Sequence, residues 1–311
     1  MIKIQKNVVL APYTTFKIGG PTKYFVEITK EDELKEALEY ALKNKLKFFV
    51  LGSGSNILVS DQGFDGLVIR FQNTECKVTD AEIACGAGAS LLKAVRLAAD
   101  SSLAGLEWAA GIPGTVGGAV RGNAGAFGSN MHSVVAKIRA FFPEKAGFSV
   151  KDFTTEECEF EYRNSLFKKN NNLIIFSVIL KLKKGNSEEI QNKTKEIIEK
   201  RNQMHPQGTA SAGSFFVNPK VSDIKLLDEF EKDSGKRFSD NTIPAGWLIQ
   251  EVGLTGQKIG GAMISEKHSN FIVNTGSAKA EDVIILMDVI KEKVRTKLGV
   301  QLVPEVIFLG F

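Results

Sequence analysis

The sequence predicts a protein of mixed strands and helices with more than one domain, and three observations carry that reading. The early chain, about 70 residues, patterns as β-α-β-β-β. None of its glycine turns opens a helix as a dinucleotide-binding Rossmann unit requires. A stretch punctuated by Pro and Gly, His205-Pro206-Gln207-Gly208, divides a chain of 311 residues, long enough for about two domains.

Taken in order, residues 24–28 read as a strand. Thr29 is placed to cap a helix over 31–44, with Leu34, Leu38, Ala41 and Leu42 on one face and Glu31 and Asp32 at its positive end. A short buried strand over 47–51 runs into the turn Gly52-Ser-Gly-Ser-Asn56, and strands over 57–60 and 67–71 follow. Ser90 is the candidate N-cap of a helix over 91–99. Strands are expected over 134–142 and 173–183. Ser187 caps a helix reaching Arg201, whose apolar face is Ile190, Ile197 and Ile198. Beyond the linker, helical segments are expected around 222–230 and over 282–298. In the second, Val283, Leu286, Met287, Ile290, Val294 and Leu298 form a core-packing stripe. Gly299 ends it, and a final strand over 301–309 is interrupted by Pro304-Glu305.

Composition removes several classes. With 43% hydrophobic residues and a net charge of only +4, the chain is not disordered. Forty basic residues against 36 acidic ones do not point to nucleic acid. The longest nearly unbroken apolar run, 173–180, is far short of the about 20 residues a membrane span needs. The N-terminus lacks the apolar segment of a secretory signal. Cys76, Cys85 and Cys158 form no CxxC, and His132, His205 and His268 lie far apart, so neither a disulfide framework nor a metal site is expected. A cytoplasmic, monomeric protein is the resulting expectation.

Glycine is the outlier. Of 29 glycines, eight fall between Gly105 and Gly128. Glycine-rich turns let backbone N–H groups approach a phosphate closely. The Walker pattern is absent, GxGxxG fails after Gly52-Ser-Gly54 and after Gly86-Ala-Gly88, and no GxSxG elbow exists. The turn at 52–56 therefore reads either as a tight strand connection or as a phosphate contact of another type. The run Ala110-Gly-Ile-Pro-Gly-Thr-Val-Gly-Gly118 with Gly122-Asn-Ala-Gly-Ala-Phe-Gly128 carries interleaved apolar residues, which favours an ordered loop wrapped on an extended ligand.

Nine segments in order then resemble the UDP-N-acetylenolpyruvoylglucosamine reductase (MurB) family. They are Thr14-Thr-Phe-Lys-Ile-Gly-Gly20, Leu51-Gly-Ser-Gly-Ser-Asn-Ile-Leu-Val-Ser60, the run at 110–118, Asn123-Ala-Gly125, Tyr162-Arg-Asn-Ser165, Ser211-Ala-Gly-Ser-Phe-Phe-Val-Asn-Pro219, Ala245-Gly-Trp-Leu-Ile249, Ser265-Glu-Lys-His-Ser-Asn-Phe-Ile-Val-Asn274 and Pro304-Glu305. The resemblance implies an FAD-binding fold of the vanillyl-alcohol-oxidase or PCMH type in two lobes, residues 1–70 and 71–204. A separate α+β substrate-binding domain follows at 205–300, and 301–311 return to the FAD-binding part. It implies that Gly52, Ser53, Gly54, Ser55 and Asn56, with Gly111, Ile112, Pro113, Gly114, Thr115, Gly117, Gly118, Asn123 and Gly125, bind FAD. No room exists after Tyr162-Arg163 for the long tyrosine-bearing insertion of one branch, so the chain is similar to the shorter, type II branch. His205-Pro206 stands for the usual Gln-Pro, Ala210 for a common Pro, and Phe127 for a usual Tyr.

The chemistry implied by the resemblance is reduction of an enolpyruvyl ether of UDP-N-acetylglucosamine to UDP-N-acetylmuramate, in peptidoglycan precursor synthesis, with NADPH as the source of electrons. Hydride passes from flavin N5 to C3, Arg163 and Glu305 stabilise the enolate, and Ser214 protonates C2; Arg163, Ser214, Asn218 and Glu305 contact substrate. Read from the residues alone, all but Glu305 have another explanation. Arg163 could pair with Glu159 or Glu161 on the surface, Ser214 could serve a turn, and Asn218 could be a pre-proline turn residue. His268 is expected to be structural. Two other functions compete: a different FAD-linked oxidoreductase of the same fold, and a nucleotide-sugar-binding protein without redox chemistry.

Overall fold

The computed structural model describes residues 1–144 and 147–311. They form two compact units. The first comprises Met1–Val8, Thr22–Ser53 and Asp65–Gln203, and the second Val9–Pro21, Gly54–Phe64 and Met204–Phe311.

The first unit has two cores. One lies on a four-stranded sheet in the order Gln5–Val9, Pro21–Ile28, Phe64–Phe71, Lys47–Leu51, the last two strands being parallel. Helix Glu31–Lys43 covers it with Leu34, Ala37, Leu38 and Ala41. Leu42, expected on that face, is exposed, because one residue beyond Ala41 turns it about 100° away from the core. Nor does Thr29 cap this helix. Lys30 is the cap residue, and the Glu33 carboxylate reaches back to accept from the N–H groups of Thr29 at 2.7 Å and Lys30 at 3.1 Å. Those bonds hold the Glu33 carboxyl below its ordinary range.

The other core rests on an antiparallel five-stranded sheet in the order Gly147–Thr154, Val135–Glu144, Ile174–Lys181, Glu82–Gly86, Cys76–Thr79. Three of these strands escape sequence reading: 76–79 and 82–86 alternate but span only four and five residues, too few to establish a period, and in 147–154 Phe153 falls out of phase with Phe148 and Val150. Leu91, Ala94, Val95 and Ala98 of helix Leu91–Asp100 pack on this core with Val116 and Val120 of the short helix Val116–Arg121. The helix expected to start at Ser187 does, Ser187–Met204, but Asn186 supplies the acceptor for its first turn, at 2.9 Å from the Glu188 N–H.

The second unit is built on a sheet in the order Ala210–Ser214, Phe271–Asn274, Ala262–Ile264, Lys258–Ile259. Asp223 caps helix Ile224–Ser234. Val283, Leu286, Met287, Ile290 and Val294 of helix Ala280–Leu298 are buried in the core as the stripe predicts, and Leu298 is only partly covered at the last turn. The final strand is confined to Ile307–Leu309, which pairs in parallel with Ile57–Val59. Before it, Pro304 has no N–H for a ladder and contributes one bridge, to Phe216. Among the described residues no helix is long and apolar enough to cross a membrane.

His268 lies against the rings of His205 and Phe271, and its Nδ1 accepts from the Asn270 N–H at 3.2 Å. Burial pushes its pKa below the ordinary 6.5. The unfolded chain therefore takes up a proton near pH 6.5 that the folded chain resists. Stability is fully present above that pH and declines as pH falls below it. Replacing His268 with Gln is expected to flatten this part of the stability profile in urea titrations; an unchanged acid slope would show that His268 does not set it.

Candidate active site

The glycine loop is ordered, and its backbone divides into two sets of N–H groups. Those of Ile112, Gly117 and Gly118 are used within the protein, by Ala109 O at 3.1 Å, Ala87 O at 3.0 Å and Thr115 Oγ1 at 3.2 Å. Among the described residues, the N–H groups of Gly111, Gly114 and Thr115 donate to no protein acceptor. Pro113, with no N–H at all, stands between them. Gly114 has φ +142, a conformation L side chains rarely adopt. Gly117 is needed for close approach: a Cβ there would lie 2.7 Å from Ala87 Cβ and 3.0 Å from its carbonyl oxygen. Further along, Gly125 pairs with Asn130 in a two-residue ladder.

Gly52 belongs to the same region of the first unit, since a Cβ on it would sit 2.7 Å from Thr115 Oγ1. Its neighbour Ser53 is exposed and, like Gly111, has an N–H without a protein acceptor among the described residues. The chain then enters the second unit. There the carbonyl of Gly54 accepts from the Thr15 N–H at 3.1 Å, and the Asn56 amide donates to Glu305 O at 3.2 Å. Ser55 is partly buried beside them. Backbone donors left over in tight, glycine-defined turns are what an oxyanion-bearing ligand such as a diphosphate requires.

Arg163 sits at the tip of a tight turn. Glu161 and Asn164 exchange backbone bonds at 3.0 and 3.1 Å, and Arg163 between them has φ +55. A non-glycine residue there costs about 1–2 kcal/mol. Three side chains hold the turn: Asn123 Nδ2 donates to Glu161 O at 2.8 Å, Lys168 Nζ to Arg163 O at 2.8 Å, and Ser165 Oγ to Arg121 O at 2.6 Å. The carboxylates of Glu159 and Glu161 pair with Lys169. Asn123, expected to contact cofactor, also accepts at Oδ1 from the His132 N–H at 3.1 Å. It ties the glycine loop to the Arg163 turn. Asn123→Ala would orphan two polar groups and is expected to cost about 2–4 kcal/mol, measurable in urea unfolding. A loss below about 0.5 kcal/mol would rule out this bracing role.

In the second unit, Ser214 ends strand Ala210–Ser214, opposite Phe271. The register shifts between Ser211 and Ser214, at Gly213 with φ +76, and such a bulge re-aims the side chain that follows. Asn270, 3% exposed, clamps the next turn by accepting from the Phe216 N–H and donating to its carbonyl, both at 2.9 Å. The Glu305 N–H donates to Phe215 O at 2.8 Å. Glu305, 91 positions from Ser214 in sequence, is thus bonded through its backbone to the residue that follows Ser214. Asn218 Oδ1 accepts from Ala245 N–H at 3.0 Å, at the start of helix Ala245–Glu251.

Arg201 went unnoticed in the sequence. It ends the apolar face of its helix, eleven residues after Ile190 and four after Ile197, and a charge on that stripe is the signal that could have exposed it. Its guanidinium lies 5.6 Å from the Phe127 ring centre, and a Cβ on Gly111 would approach its Cδ to 2.9 Å. Its Nε is buried without a hydrogen-bond partner. Burial, with Arg163 close by, pushes its pKa below the ordinary value.

Residues 22–144 match the model of an FAD binding domain, and residues 205–309 that of the C-terminal domain of UDP-N-acetylenolpyruvoylglucosamine reductase. The chain is 39% identical over 309 residues to the UDP-N-acetylenolpyruvoylglucosamine reductase of Anoxybacillus flavithermus, covering 99% of this chain and 94% of that protein. The corresponding Halalkalibacterium halodurans protein is 37% identical over 310 residues, with 99% and 95% covered. The crystal structure of the reductase (MurB) from Thermus caldophilus superimposes with a TM-score of 0.78 at 34% identity, over 99% of this chain and 100% of that one. Nine motifs in order, a glycine loop with spare backbone donors, a glutamate whose backbone bonds the residue after the serine, and similarity along the full length together place the chain in the UDP-N-acetylenolpyruvoylglucosamine reductase family.

Proposed function

We propose that this chain reduces the enolpyruvyl ether of UDP-N-acetylglucosamine to the lactyl ether, and that Arg163, Ser214 and Glu305 perform the chemistry. The family reaction is FAD-dependent and belongs to peptidoglycan precursor synthesis. Bound FAD, recharged by NADPH, supplies the hydride that adds to C3 of the vinyl group. The spare N–H groups of Ser53, Gly111, Gly114 and Thr115 suit the FAD diphosphate. Ile112, Pro113, Gly117, Gly118 and Gly125 shape the loop that carries them.

Addition at C3 leaves charge at C2 and on the adjacent carboxylate. Arg163 meets that carboxylate with a planar, permanent cation, and Arg201 adds a second positive charge beside it. Ser214 holds its hydroxyl proton for C2. A serine is a weak acid, so its aim must be fixed, and the Gly213 bulge and the Asn270 clamp do so. Glu305 completes the hydrogen-bonding around the enolate. Asn218 binds substrate through the amide nitrogen that its contact to Ala245 leaves over. The observation that supports this assignment is the Glu305 N–H bond to Phe215 O, which ties the glutamate's backbone to the residue that follows Ser214. We propose further that the enzyme works as a monomer in the cytoplasm, as its lack of a long apolar helix among the described residues permits.

The test is anaerobic. The purified protein is expected to be yellow, NADPH to bleach it, and the enolpyruvyl sugar nucleotide to restore the colour. A colourless protein that FAD cannot turn yellow would favour a binding protein without redox chemistry. Bleaching that only oxygen reverses would favour an oxidase.

A further inference from the structure

We propose that Cys76 and Cys85 form a reversible thiol–disulfide site that reacts with the disulfide of a small, carboxylate-bearing thiol. The two residues face each other across the antiparallel hairpin of Cys76–Thr79 and Glu82–Gly86. The Gly86 N–H donates to Glu75 O at 2.9 Å, so residues 75 and 86 are a hydrogen-bonded pair. Pairs alternate along an antiparallel ladder, which makes Cys76 and Cys85 a non-hydrogen-bonded pair. There the Cα atoms stand about 4.5 Å apart with side chains on one face. A disulfide spans about 4.4–6.8 Å between Cα atoms, so this one closes without moving the backbone. The Sγ atoms lie 2.8 Å apart.

The two thiols are chemically unequal. Cys85 is 2% exposed, whereas Cys76 opens on a cavity of about 350 Å³ lined also by Ser90, Lys93, Arg96 and Asp100. A hydrogen bond from Cys85 and the charge of Lys93 hold the Cys76 thiol below its ordinary range against the effect of burial. Its bond with Cys76 and burial push the Cys85 thiol up. Cys158 stands apart: its thiol donates to Thr154 O at 2.9 Å, and burial pushes it up to about 12.

The exchange runs in two steps. The Cys76 thiolate attacks one sulfur of the small disulfide, forming a mixed disulfide and releasing one thiolate. Cys85 then gives its proton to solvent and attacks the Cys76 sulfur, forming the cross-strand disulfide and releasing the second thiolate. Two protein thiols are oxidised, and one small disulfide is reduced to two thiols. Lys93 and Arg96 at the cavity wall select for carboxylates on the incoming molecule.

The reduced holoprotein is incubated with glutathione disulfide and digested without reductant. Peptides bearing Cys76 and Cys85 are expected to be joined, Cys158 to be unmodified, and dithiothreitol to reverse the link. Cys85→Ala is expected to stop at a mixed disulfide on Cys76. Cystamine, a cationic disulfide, is expected to react about tenfold more slowly at low salt. Wild-type protein that keeps both thiols, carries the small thiol on Cys85 or Cys158, or reacts as fast with cystamine would overturn the proposal. The wild-type measurements decide the matter even if the variant fails to fold.

Discussion

Replacing Ser214 with alanine is expected to leave reduction of the bound flavin by NADPH unchanged and to slow reoxidation by the enolpyruvyl sugar nucleotide about 10²–10⁴-fold. The two half-reactions separate because only the second needs a proton at C2. The change removes one hydroxyl from a partly buried strand end. It leaves in place the Phe215 and Phe216 backbone bonds to Asn270, at 2.7 and 2.9 Å, and the Glu305 N–H bond at 2.8 Å. Stopped-flow absorbance resolves the two phases. Equal losses in both would mean that Ser214 supports the flavin instead of supplying a proton.

Arg163→Gly is expected to divorce stability from activity. The backbone at 163 already has φ +55, a conformation that glycine adopts without steric cost. The unfolding midpoint should therefore not fall, and the substitution removes a penalty of about 1 kcal/mol. Turnover should drop about 10²–10³-fold, the typical loss when one group stabilising a developing oxyanion is removed. A protein destabilised along with its activity would show that the guanidinium holds the turn together, which would make Arg163 a structural residue. A conservative Lys at the same position keeps the charge but loses the planar fork, and is expected to recover only part of the loss.

These expectations rest on features of uneven legibility. The stripe in helix Ala280–Leu298 was readable because five of its six apolar residues meet one core at helical spacing, and helical spacing is a local property of the chain. The hairpin of Cys76–Thr79 and Glu82–Gly86 was not, because its strands alternate over only four and five residues, too short a run to stand out from chance. Thr29 and Ser187 look like caps, yet Glu33 and Asn186 supply the acceptors; several nearby side chains can reach the same N–H groups, and packing selects among them. Asn123 shows the same limit at the site. Its place in a glycine motif does not reveal that its amide also bonds Glu161 and His132, which lie outside that motif.

Local pattern and motif order were enough for the rejection of Walker and Rossmann loops and for the family, and the family carries the α+β class. All of these depend on residue type and spacing along the chain. Pairing over long separations was beyond their reach. The bond from Glu305 to Phe215, the parallel match of Ile307–Leu309 with Ile57–Val59, and the buried Nε of Arg201 exist only because distant segments share a core. Burial and long-range hydrogen bonds depend on every segment that packs nearby, so no window of sequence contains them.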